Sequence, residues 1–141
     1  AQDENKQIIQ NMPNKGNFYI ATLKKTHLGW GTHRTTNSRP KIKNEGYIPI
    51  PFKYAFSFHI TNLHYTKQSN VYKFSTNDGF IKERELKASG NRKRGDKYAK
   101  NLHGNGDLKL LGKWFLHNNM QIGDQVRVEF VSPSEILLTK I

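Results

Sequence analysis

Apolar and polar residues alternate through much of this chain, and the period of two predicts strands. It is clearest in "QVRVEFV" (125–131), which turns Val126, Val128 and Phe130 to one side. "SPSE" then reads as a turn into "ILLTKI" (136–141). "NVYKFST" (70–76) alternates in the same way, "NDG" is a hairpin signal, and "FIKERELKA" (80–88) is its return strand. Phe80, Lys82, Arg84 and Leu86 share one side of that strand, which suits an element projecting beyond the core. "KYAKNLH" (97–103) is its expected partner, and "NFYIATLKK" (17–25) has strand composition. "YIPIP" (47–51) is a short edge strand, because proline cannot donate to a ladder.

Two segments have helical spacing instead. Pro51 suits the first position of a helix over "FKYAFSFHI", with Phe52, Ala55, Phe56 and His59 on its apolar face. Asp107 caps "LKLLGKWFLHNNM", where Leu108, Leu111 and Phe115 form the buried stripe and Leu110 and Trp114 flank it. Seven strands and two short helices without a βαβ rhythm predict a mainly β fold, a barrel or pseudobarrel. Residues 1–16 read as a flexible lead-in and 17–141 as one domain. "THLGWGTHRTTNSRPKIKNEG" (26–46) reads as a long loop, a length that is usually functional.

Composition narrows the class. Cysteine is absent, which removes disulfides and thiolate metal sites and suits a reducing compartment. No apolar run reaches the ~20 residues of a membrane helix, and the polar start has no signal-peptide core. Because the chain starts at Ala1, either a Met was removed or the sequence is a fragment. Net charge is +12, and it is not spread evenly. Residues 24–45 hold six positive residues against one negative, and residues 82–100 hold eight against three. These two stretches carry +10 of the +12, the footprint expected for a polyanion.

The helix followed by "MQIGDQVRVEFVSPSEILLTKI" resembles the end of a B3-type DNA-binding domain, and "EGYIPIPFKYAFSFHI" resembles the strand–Pro–helix element in its first half. With "GWGTHR" and "SRP", the pattern looks closest to B3-like recognition domains of type II restriction endonucleases, the kind with a phospholipase-D-like nuclease half. The resemblance spans about residues 17–141. It implies a seven-stranded B3-like pseudobarrel with two short helices that grips the major groove of double-stranded DNA with an N-arm (29–46) and a C-arm (88–104). It also implies a cytoplasmic bacterial protein. This chain would be non-catalytic and without a cofactor, partnered by a nuclease domain of the same full-length site-specific deoxyribonuclease.

The residue types in the arms match that task. Arg and Asn can each form two hydrogen bonds to a purine edge, and Asp accepts from cytosine. The base-reading candidates are Arg34, Thr35, Asn37 and Arg39 in the N-arm, with Asn91, Arg92, Arg94 and Asp96 in the C-arm. Lys41, Lys43, Lys93, Lys97 and Lys100 are candidate phosphate clamps. Gly90 and Gly95 bracket "NRKR" and permit tight turns. The bland alternative is a set of solvated charges that only keeps the protein soluble. Trp30, between two glycines, either lies on DNA sugar or packs the arm onto the barrel.

Two other functions fit parts of the sequence. Asp78 with Glu85 and Lys87 fits a loose D…E-x-K spacing of Mg²⁺ nucleases, although a straight strand would hold the two acids ~23 Å apart. RNA or single-strand binding also suits basic loops, but the aromatics fit core positions and no exposed stacking pair is legible. The six histidines form no metal-binding motif.

Overall fold

The computed structural model describes residues 13–28, 45–62, 70–93 and 95–141. Seven strands form one sheet: β1 (Phe18–Thr22), β2 (Ile48–Pro49), β3 (Val71–Thr76), β4 (Arg84–Ser89), β5 (Asn101–Gly104), β6 (Gln125–Ser132) and β7 (Glu135–Lys140). Three helical segments accompany them: a single turn α1 (Lys25–Leu28), α2 (Phe52–Phe58) and α3 (Leu110–His117). The spatial order is β1-β6-β7-β3-β4-β5-β2. All neighbouring pairs are antiparallel except β3 and β7, which run parallel with Phe74 opposite Ile136.

The two end strands, β1 and β2, meet without a ladder. The Tyr19 hydroxyl donates to the Pro49 carbonyl at 3.1 Å across the gap. The sheet is thus curled into a nearly closed barrel, the mainly β architecture that the strand count and the missing βαβ rhythm predict. The predicted alternation holds in β6, where Val126, Val128 and Phe130 point into the core. Tyr72 and Phe74 of β3, Leu86 of β4, Leu102 of β5 and Ile136 and Leu138 of β7 complete it. Each such apolar side chain contributes about 1.5–3 kcal/mol by leaving water.

The predicted elements shift at their edges. Residues 14–17 form a turn joined to β6, with Gly16 N–H donating to the Phe130 carbonyl at 2.8 Å and Phe130 N–H to that of Asn17 at 2.8 Å. The return strand of the "NDG" hairpin begins at Arg84, not Phe80, because residues 80–83 belong to the turn. Thr76 and Ile81 bond to one another there, and Glu83 adopts φ 50°, which breaks the ladder. Helix α3 starts at Leu110. Asp107 Oδ1 accepts the Lys109 N–H at 3.2 Å just before it, and the Asp107 backbone lies so close to β5 that a Cβ on Gly104 would fall on its carbonyl.

Helix α2 is rotated from the predicted phase. Ala55 is buried, with Tyr54 and Phe58 packed beside it, whereas Phe52 and Phe56 are exposed and His59 is the left-handed C-cap. Tyr54 stacks on Tyr19 with centroids 5.3 Å apart and planes 18° apart. That contact and the entry from β2 through Pro51 set the rotation. A short helix with aromatics all round offers several equivalent apolar faces, so spacing alone does not choose among them.

Candidate nucleic-acid interface

The gap between β1 and β2 opens into a concave cleft of about 550 Å³. Lys24 and His27 line it from the chain entering segment 29–44, and Tyr47 from the chain leaving it. Arg92, Lys100 and Asn101 line it from the loop joining β4 to β5. The flanks of both basic segments therefore share one cleft. None of its described lining residues is acidic.

Arg34, Thr35, Asn37, Arg39, Lys41 and Lys43 lie outside the described residues, as do Trp30 and Arg94. Their described neighbours are firmly placed. Tyr47 N–H donates to the His27 carbonyl at 3.2 Å, so the two ends of segment 29–44 are held together. His27 is buried and its Nδ1 accepts the Lys24 N–H at 2.8 Å. Tyr47 packs against the imidazole ring edge-on, 4.9 Å between centroids. Burial, aided by the Lys24 charge, pushes the imidazole down to about 4, which keeps it neutral.

The β4–β5 loop is fixed at its base and exposed at its tip. Gly90 and Gly95 take φ +81° and +84°, the left-handed conformations that glycine tolerates without strain. Asn62, which is buried, uses its amide Nδ2 to bridge the carbonyls of Gly90 (2.9 Å) and Asp96 (2.7 Å). Its own N–H donates to the Lys97 carbonyl at 2.9 Å. Asp96 Oδ1 accepts the Tyr98 N–H at 3.0 Å and closes a local turn. Asn91, Lys93, Lys97 and Lys100 are exposed around this frame.

Arg92 has a role that base-reading chemistry alone does not anticipate. Its Nη1 donates to the Ala99 carbonyl at 3.1 Å and approaches that of Tyr98 at 3.5 Å. Its Nη2 donates to the Ile50 carbonyl at the end of β2. The guanidinium thus ties the β4–β5 loop to the chain that follows β2. A buried Asn and an Arg turned toward backbone carbonyls leave no pattern in sequence, so Asn62 was not legible as part of this site.

The second basic stretch is divided by β4. Lys82 and Arg84 sit at the opposite end of that strand from Ser89, ~17 Å away at the rise of an extended chain. Arg84 there faces Asp107 at 3.6 Å. Only the part from residue 90 onward borders the cleft.

The expectation that aromatics occupy core positions is corrected by α2. Phe52 is 49% exposed and Phe56 54% exposed, with ring centroids 6.0 Å apart. Tyr98 packs against both, edge-on to Phe52 at 5.8 Å and tilted to Phe56 at 5.4 Å. The nuclease candidates are engaged elsewhere. Asp78 accepts from Thr76, Phe80, Trp114 and Asn118, and Glu85 accepts from Asn105 at 3.0 Å. Among the described residues no three His, Asp or Glu side chains converge as a metal site, and no described helix is long and apolar enough to cross a membrane.

A scan against protein-family models finds no match, and a search of curated proteins finds no similar sequence.

Proposed function

We propose that this domain recognises double-stranded DNA in a sequence-specific way, with segment 29–46 and the β4–β5 loop reaching into the major groove from either side of the cleft. The observation that carries this reading is that the flanks of both basic segments share one cleft, whose described lining includes Lys24, Arg92 and Lys100 and no acidic residue. A barrel whose rim bears Lys24, Arg92 and Lys100 suits a polyanion of regular shape. Lys93, Lys97 and Lys100, with Lys41 and Lys43, would contact phosphates and set the register. Arg34, Thr35, Asn37, Arg39, Asn91, Arg94 and Asp96 would read base edges. Arg92 would serve first as the brace that presents the loop. The resemblance to B3-like recognition domains extends the proposal. The domain would act in the bacterial cytoplasm as the target-recognition part of a type II restriction endonuclease, with cleavage supplied by a nuclease domain of the same protein.

Selection of bound duplexes from a randomised ~20-bp pool at physiological salt, without Mg²⁺, tests this. Enrichment of one short motif is the expected result. Retention of DNA without enrichment would remove the base-reading roles, and no retention would remove the DNA reading altogether.

A further inference from the structure

The rim of the cleft carries a surface that duplex gripping does not use. Phe52 and Phe56 lie one helical turn apart on α2, both half exposed, with planes 37° apart. Tyr98 packs against both rings. Exposed phenylalanines standing together are a costly arrangement in a chain of mean hydropathy −0.79, and contiguous apolar patches of this kind mark contact surfaces. Cations surround this one. The Arg92 guanidinium lies 5.4 Å from the Phe52 centroid and the Lys97 ammonium 5.4 Å from that of Tyr98. Arg92 also lines the cleft, and so does Pro51, immediately before Phe52. The patch is therefore continuous with the proposed DNA groove.

An occupant must offer a flat apolar face beside dense negative charge. A nucleobase attached to its phosphate does so, and an exposed aromatic ring offers it a face on which to stack. A fully paired duplex presents no free base face, because its bases are stacked on one another. We propose that Phe52 and Phe56, backed by Tyr98, form a stacking platform for one unpaired base of the nucleic acid held in the cleft, so that the domain favours a locally opened duplex. This inference rests on the DNA-binding reading above. The exposed phenylalanine rings would take the base, and the Lys97 ammonium beside Tyr98 the phosphate of a displaced nucleotide.

The test compares a fluorescein-labelled ~20-bp duplex with the same duplex carrying a central bulge of two unpaired thymines, by anisotropy at fixed salt. The intact chain should bind the bulged probe about tenfold more tightly, the lower range of base–aromatic stacking. The double variant Phe52→Leu/Phe56→Leu keeps apolar bulk at exposed positions but removes both π faces. It should lose that preference and retain its affinity for the intact duplex, with an unchanged melting temperature as the check on folding. Equal affinity of the unsubstituted chain for both probes, with measurable duplex binding, would overturn the platform and leave the DNA reading standing. A bulge preference that survives in the double variant would also overturn it. Failure to bind either probe would overturn both.

Discussion

The indole Nε1 of Trp114 donates to the Asp78 carboxylate at 3.0 Å, joining the β3–β4 turn to helix α3 across the barrel end. The two oxygens of Asp78 divide the work. Oδ1 takes the Thr76 hydroxyl at 2.6 Å and the Phe80 N–H at 3.0 Å, and Oδ2 takes Trp114 and the Asn118 amide at 3.1 Å. Desolvation is the largest single influence and pulls the carboxyl upward, but the four donors together outweigh it and hold its pKa well below the usual carboxylate range. Asp78→Ala should therefore cost about 1–3 kcal/mol, largely because the buried indole N–H of Trp114 loses its acceptor. Urea unfolding followed by tryptophan fluorescence measures this, and a variant as stable as the parent would contradict it. The contribution is present above the ordinary aspartate pKa of about 4 and fades as pH falls below it.

His27 gives a second pH dependence at a higher range. Its folded pKa is about 4, against about 6.5 for a free imidazole. Between those values the unfolded chain binds a proton that the folded chain refuses. Stability is complete above about pH 6.5, falls as pH drops toward 4, and levels off below it. The loss amounts to on the order of 2 kcal/mol at pH 5. His103, whose pKa burial also lowers with the help of Lys87, adds to the same slope. His27→Gln keeps a side-chain acceptor for the Lys24 N–H without the titration. Its melting temperature should change less between pH 7 and pH 5 than that of the parent chain. Identical slopes would assign the loss elsewhere.

Asn62 and Arg92 hold the β4–β5 loop from opposite sides, one from within and one from the rim. Asn62→Ala leaves the Gly90 and Asp96 carbonyls without their shared donor and should cost about 1–3 kcal/mol. Arg92→Ala releases the Ile50 and Ala99 carbonyls at a more exposed position and should cost less, about 1–2 kcal/mol. Both variants should weaken DNA binding by raising the ordering cost of the loop, in proportion for all sequences. Faster amide exchange over residues 90–97 in Asn62→Ala is the specific readout. Wild-type exchange in that variant would show that the loop is ordered by other contacts.

The barrel was legible because strand alternation is a local property. Val126, Val128 and Phe130 declare their inward face within seven residues, and the "NDG" turn announces the β3–β4 pairing. The phase of α2 was not legible, because Phe52, Tyr54, Phe56 and Phe58 supply aromatic surface in every direction and only the distant Tyr19 selects Tyr54. The cleft was half legible. Charge counting found the two segments, but the meeting of their described flanks depends on the closure between β1 and β2, fixed by Tyr19 and Pro49, which are thirty residues apart. Arg92 illustrates the remaining gap. Residue type gives it base-reading chemistry, and only the fold brings the Ile50 carbonyl within its reach.

Phosphate clamps and base readers should separate by their salt and sequence dependence. If the arms neutralise about six phosphates, the logarithm of the binding constant should fall against the logarithm of salt concentration with slope near −5. Lys93 is exposed on the loop and suited to a phosphate. Lys93→Ala should weaken binding to every duplex alike and make the slope shallower by about one. Arg34→Ala should instead cost about 1–3 kcal/mol on the preferred sequence alone and leave nonspecific binding nearly unchanged. Anisotropy titrations at several salt concentrations, on the selected duplex and on a scrambled one, distinguish the two patterns. If Arg34→Ala reduced both duplexes equally, its guanidinium would belong with the phosphate contacts and the base-reading set would lose its first member.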